Sequence, residues 1–162
     1  MSAALEDRLR LRLELEELYA DYAGALDDGD YRAWPDFFTE ECDYRVVARE
    51  NYDQGLPLAA IRCESRGMLQ DRVQAVLETS MYEPRALRHL VGSLRVLDAG
   101  GGAIRAKANF CILETLNDEP TRVLLSGAYR DEIVREGGRL LFRERLCVFD
   151  SNLVLNSIVV PV

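Results

Sequence analysis

The sequence predicts an α+β fold, and three observations carry that prediction. Helical periodicity dominates the first half of the chain, long strand-like runs fill the second, and short glycine connections join those runs into hairpins. Apolar residues at Leu11, Leu15, Leu18, Tyr22 and Leu26 fall on one stripe of a helix over residues 6–27. Glu6 with Arg10, and Arg12 with Glu16, are spaced to pair on its wet face. Asp27-Asp28-Gly29 stops this helix. Asp30 is placed to accept from the free amides of a short helical turn that carries Trp34, Phe37 and Phe38 and ends near Thr39. Pro35 suits a first turn, where its missing donor is not needed.

A strand is expected from Cys42 to about Arg49, followed by an irregular excursion over residues 50–57 punctuated by Asn51, Gly55 and Pro57. Ser65 can cap a third helix whose apolar face is Leu69, Val73, Val76 and Leu77, ending around Thr79 before the break at Pro84. Strands then follow over residues 87–97, 103–115, 122–135 and 139–150. Asp98-Ala99-Gly100-Gly101-Gly102 and Glu136-Gly137-Gly138 are hairpin connections, so these strands should form an antiparallel meander. Strands this long twist, and bulges, for instance near Gly127, should curl the sheet around the helices.

At 162 residues, with 48% hydrophobic and 30% charged side chains, the chain reads as one domain over residues 1–162. A net charge of -8 and no cluster of Lys or Arg disfavour nucleic acid and anionic lipid as partners. No secretory leader and no apolar run of membrane-spanning length stand out, which points to the cytoplasm. Cys42, Cys63, Cys111 and Cys147 lack CxxC spacing and read as reduced, buried thiols.

The chemistry is bounded by a shortage, because the sequence holds a single histidine, His89. A Rieske [2Fe–2S] centre needs two His and two Cys, and a non-haem iron triad needs two His and a carboxylate. This chain can supply neither by itself. No P-loop is present, since Gly100-Gly101-Gly102 lies in a hairpin and not before a helix. His89 sits early in a strand, with Leu90, Leu94 and Val96 assigned to an opposite, apolar face. As a catalyst it would need a carboxylate partner; as structure it would hydrogen-bond or line a subunit contact, and that reading leads. Asp43, Tyr22, Tyr44 and Tyr129 could converge inside a curved sheet, with the tyrosines serving as core walls with bonded hydroxyls.

The stretch from Asp30 through Trp34 to Phe38, followed by Cys42-Asp-Tyr-Arg-Val46, resembles the start of the NTF2-like, or cystatin-like, cone superfamily. Tyr44-Arg45, the run from Arg49 to Pro57, Glu64-Ser65, Met68, Asp71-Arg72-Val73, Arg88-His89 with Val91-Gly92, Gly127 with Tyr129-Arg-Asp131, and Arg145-Leu-Cys-Val-Phe-Asp150-Ser151 form a longer series. In linear order they resemble the small (β) subunits of aromatic-ring-hydroxylating Rieske oxygenases, most of all that of salicylate 5-hydroxylase and next that of terephthalate dioxygenase. The resemblance implies a strongly curved mixed sheet wrapped around N-terminal helices. It also implies three copies assembled with three large (α) subunits that carry the Rieske [2Fe–2S] cluster and mononuclear Fe(II). Electrons would come from NAD(P)H through a reductase or ferredoxin, and a monocyclic aromatic acid would be hydroxylated. For this chain it implies a structural role, with no catalytic, cofactor-binding or metal residues. The rival is a stand-alone cavity enzyme of the same cone, with Asp43, His89 and Tyr44 as its acid–base set, or a ligand carrier.

Overall fold

A computed structural model describes residues 3–78, 83–151 and 160–162. Helix α1 (Ala3–Asp27) lies across one face of a six-stranded sheet formed by β1 (Phe38–Ala48), β2 (Ile61–Cys63), β3 (Arg85–Gly100), β4 (Ala103–Leu116), β5 (Arg122–Glu136) and β6 (Arg139–Phe149). A 3-10 turn (Trp34–Phe37), a short helix α2 (Arg49–Asp53) and a third helix α3 (Arg66–Glu78) complete the order. The α+β class and the helix-first arrangement are as expected.

The sheet runs β2-β1-β6-β5-β4-β3. From β3 to β6 it is the expected antiparallel meander, but β1 pairs with β6 in parallel, so the whole sheet is mixed. Local hairpin signals report only on consecutive strands; β1 is supplied by the first half of the chain and joins at the far side. The parallel register sets Tyr44 beside Arg145 and Val46 beside Cys147, which brings inward side chains of β1 and β6 together.

Several boundaries differ from the sequence reading. The aromatic turn closes as a single 3-10 turn, and β1 begins at Phe38 instead of Cys42. Ala33 precedes that turn with no side-chain cap, while the Asp30 main-chain oxygen accepts from Ala33 N–H at 3.1 Å. The 50–57 excursion contains α2, and β2 was not foreseen: three residues carry too little pattern to read. Ser65 does cap α3, its Oγ accepting from Met68 N–H at 3.2 Å. Leu77 lies exposed, so the apolar face narrows to Leu69, Val73 and Val76, and the predicted end at Thr79 falls outside the described residues.

Along α1, Leu15, Leu18, Tyr22 and Leu26 are buried as the stripe requires, joined by Tyr19 and Ala23, while Leu11 packs at the core's margin. The Arg12–Glu16 pair forms on the outer face at 2.9 Å. Trp34, Phe38, Tyr44 and Phe142 meet largely edge to face in the centre, with Trp34–Tyr44 centroids 5.0 Å apart at 82°.

Curling comes from register shifts, but not at Gly127. One residue is added on β3 between Gly92 and Arg95, where Ser93 has φ 53, and others interrupt the β3–β4, β4–β5, β5–β6 and β1–β6 ladders elsewhere. Gly127 sits in regular register between Phe110 and Phe149. A Cβ there would stand 2.0 Å from the Val148 carbonyl oxygen, so glycine is needed for close strand approach. The extra residue at Ser93 also corrects the reading of β3. Leu90 is exposed while Leu94 turns inward, because a bulge reverses which face successive residues occupy; Val96, paired with the buried Ala106, shares Leu94's face and lies exposed nearer the strand's end.

Candidate functional site

Alternation along the two central strands directs Tyr129 and Asp131 of β5, and Arg145 and Cys147 of β6, toward α1. The register pairs Asp131 with Arg145 and Tyr129 with Cys147, so four polar side chains from two strands meet as one inner cluster. Arg145 is wholly buried. Its guanidinium carbon lies 3.7 Å from the Tyr129 ring centroid, 4.0 Å from Tyr22, 4.3 Å from Phe142 and 5.1 Å from Tyr19. Ring faces therefore surround the cation, and its charge is balanced by Asp131, whose Oδ2 is 3.4 Å from Nη1.

Asp131 also accepts a hydrogen bond from the Tyr19 hydroxyl. Burial pushes this carboxyl up to about 6, against the opposing pull of Arg145 and of the Tyr19 bond. Burial likewise raises the Cys147 thiol to about 12 and holds Tyr19, Tyr22 and Tyr44 above their ordinary range. At neutral pH the thiol and the phenols are therefore neutral donors and not nucleophiles.

Above this cluster lie the last residues of the sequence. Val160 and Val162 are buried, and Val162 is held by both main-chain groups. Its N–H donates to Tyr44 Oη at 2.8 Å, and its oxygen accepts from the Tyr22 hydroxyl at 2.7 Å. Trp34 Nε1–H in turn donates to Tyr22 Oη at 3.0 Å. The centre of the cone is thus occupied by the protein's own groups, and neither Asp131 nor Arg145 faces an open cavity. Such an arrangement ties β5 and β6 to α1.

The residues of the rival reading are not brought together. Tyr44 points inward, but its neighbour Asp43 points to the other face of β1 and pairs with Arg45 at 3.2 Å. His89 is on β3, at the opposite side of the sheet from β1. Its Nδ1 lies 2.6 Å from Asp27 Oδ1, and its main-chain N–H donates to both oxygens of the same carboxylate at 3.0 and 3.1 Å. The imidazole is fully covered, so this pair clamps the end of α1 to the outermost strand. A groove of about 490 Å³ runs between α1 and β3 over Ala20, Ala23, Gly24 and Gly92, and the imidazole lies sealed at its wall. Tyr22, Tyr44 and Tyr129 do converge inside the sheet, although the Tyr129 hydroxyl has no bonded partner and its ring stacks on Phe110 at 4.5 Å.

Sequence reasoning missed Asp131, Arg145 and Tyr19. Strand parity was the available signal: once Tyr129 is taken as inward, Asp131 follows at the next odd position. Glu114 was also missed; it is wholly buried on β4 and held by Arg85 at 2.5 Å and by Arg122 at 2.7 Å. The four cysteines are free, with Cys111 half-buried and the others buried. Among the described residues no three His, Cys, Asp or Glu side chains gather as metal ligands. With its one imidazole engaged by Asp27, this chain's donor set does not fit a Rieske cluster or a mononuclear iron site.

Residues 22–156 match the family described as the ring hydroxylating beta subunit. The chain belongs to that family. The ring-hydroxylating β subunits similar to it include the anthranilate 1,2-dioxygenase small subunit of Burkholderia cepacia, 29% identical over 98% of both chains. A terephthalate 1,2-dioxygenase terminal oxygenase component subunit β of Comamonas sp. is 30% identical over 92% of this chain and 97% of its own. In three dimensions, the β subunit of an aromatic-ring-hydroxylating dioxygenase from Novosphingobium aromaticivorans superposes with a TM-score of 0.86. It shares 33% identity and covers 94% of this chain and 96% of its own. The architecture is therefore the NTF2-like cone that the resemblance implied, and the ring-hydroxylating β subunits it matches are small subunits of oxidoreductase complexes.

Proposed function

We propose that this β subunit is the non-catalytic, structural partner of a large (α) oxygenase subunit, and that the complex hydroxylates a monocyclic aromatic acid of the salicylate class. The observation that supports it best is the closed polar centre, in which Arg145 pairs with Asp131 and lies over the Tyr22 ring, while the Tyr22 and Tyr44 hydroxyls bond to Val162. The large subunit would carry the Rieske [2Fe–2S] cluster and mononuclear Fe(II), supplied with NAD(P)H-derived electrons by a reductase or ferredoxin. Relatives named for anthranilate and terephthalate, both single-ring aromatic acids, favour that substrate class.

Assembly needs a surface that a partner would cover. Leu5, Leu9 and Leu13 stand exposed at four-residue intervals along α1, and Leu56 and Leu58 follow α2 on the exposed excursion. Contiguous exposed apolar side chains of this kind suit association better than open solvent. An α3β3 complex is the proposed stoichiometry, and the cytoplasm, where free thiols persist, the proposed compartment. Among the described residues, no helix is long and apolar enough to cross a membrane.

The test is co-expression with an α subunit encoded alongside this chain. The expected result is co-elution as an iron-containing complex that hydroxylates salicylate, anthranilate or terephthalate when reductase is supplied, while the β subunit alone is inactive and iron-free. Stoichiometric iron or turnover in the isolated chain would overturn the reading.

A further inference from the structure

We propose that the outer face of the sheet carries a docking strip for an acidic polypeptide segment of the large subunit. This rests on the assembly reading above and adds a surface and its chemistry. Strand register builds the strip. Arg62 of β2 is paired with Arg45 of β1, Arg45 with Leu146 of β6, Leu146 with Arg130 of β5, Arg130 with Lys107 of β4, and Lys107 with Arg95 of β3. One row thus crosses all six strands, and every member except Leu146 is a cation. These cations belong to a chain of net charge -8 and include its single lysine. All point outward, because their strand neighbours Ile61, Tyr44, Cys147, Tyr129, Ala106 and Leu94 are buried in the core.

Like charges set directly opposite on neighbouring strands repel, so the row works against the fold and calls for an anionic cover. The chain supplies only part of it. Arg62 is paired with Glu64 at 2.7 Å and Arg45 with Asp43 at 3.2 Å. Arg130, Lys107 and Arg95, consecutive across β5, β4 and β3, form no ion pair among the described residues; Arg130 has only the Tyr52 ring, at 4.8 Å. The next row holds Asp43, Glu144, Glu132 and Asp98 with Arg105 among them. Its carboxylates are largely engaged, Asp43 by Arg45, Glu132 by Arg143 and Asp98 by Arg105. A nucleic-acid backbone would spread its phosphates over that acidic row, whereas a single extended chain can follow the cations alone. At about 4.8 Å between strands the row is about 24 Å long, which an extended acidic stretch of about seven residues covers.

The single lysine is the reporter. Reductive methylation with carbon-13 labels Lys107 and the terminal amine, so one side-chain resonance watches the strip. Heptaglutamate should shift that resonance saturably, and about 0.5 M salt should abolish the shift. Arg95→Gln with Arg130→Gln should weaken heptaglutamate about tenfold. The melting temperature of this variant should hold or rise, whereas a row with a purely structural role would lose stability. Arg95→Gln alone, on an exposed side chain, should weaken heptaglutamate in the same direction if the double variant does not fold. In the complex with the large subunit, Lys107 should resist the acetic anhydride that acetylates it in the free β subunit. No response to heptaglutamate, an equal response to oligothymidylate, or full acetylation of Lys107 within an intact complex would each overturn the proposal. So would protection in the free β subunit that grows with its concentration, which would assign the strip to a second copy. If no complex forms, the assembly reading fails by itself, and the heptaglutamate titration still decides whether the strip binds an acidic chain.

Discussion

Trp34 carries both a packing and a polar task, as a wholly buried ring whose N–H is bonded to Tyr22. Trp34→Ala removes the ring and leaves the Tyr22 hydroxyl without that donor, and should cost about 3–5 kcal/mol in urea denaturation. A wild-type midpoint would contradict this placement. Asp131 makes the second prediction at this scale. Its carboxyl is raised to about 6 in the fold from an ordinary value of 3.8, so between those values the folded state binds more protons than the unfolded chain. The stability this group contributes is fully present below about pH 4 and is lost as pH rises through about 6. Carbon NMR of the Asp131 carboxyl should show a midpoint near 6, and a midpoint at the ordinary value would refute the desolvated environment.

Strand pairing depends on a few backbone approaches that side-chain patterns conceal. At Gly127, an added methyl would meet the Val148 oxygen at 2.0 Å and Phe149 Cα at 2.8 Å, both of them backbone atoms of β6. Neither can swing aside, so β5 and β6 would have to separate where they hold Tyr129, Asp131, Arg145 and Cys147. Gly127→Ala should lower stability by about 2–4 kcal/mol or abolish soluble expression, on the scale of other overpacked sites. Equal melting temperatures for the variant and the parent would show that the strands have slack. The hairpin between β5 and β6 has a different demand, since Gly137 and Gly138 adopt φ 55 and 81, the mirror-image turn that fits twisted strands.

For the molecule as a whole, the 50–57 excursion separates folding from assembly. Its helix α2 has no buried residue, Tyr52 lies beneath the Arg130 guanidinium at 4.8 Å, and Arg49 is paired with Asp150 in an exposed setting. Exposed contacts of this sort stabilise by only about 0–1 kcal/mol. Replacing residues 51–57 with a short glycine–serine link should leave the melting temperature within a few degrees and weaken co-elution with the large subunit. An unchanged elution profile of the complex would remove this segment from the interface.

The sequence by itself determined the helix-first α+β order, the stripe of α1, the Ser65 cap, the two hairpins and the family, because each rests on neighbouring residues or on linear order. It also determined that one histidine cannot furnish either iron site, since composition bounds coordination before any folding. Tertiary structure decided the rest. Only the folded sheet shows that β1 runs parallel to β6, that the bulge at Ser93 reverses the faces of β3, and that Asp43 and Tyr44 look opposite ways. Only there does Tyr19 reach the Asp131–Arg145 pair and Tyr22 reach Val162, although the partners lie far apart along the chain. Pairwise contacts between distant strands leave no periodic trace in the sequence, so the occupant of the cone became visible only once the fold had closed around it.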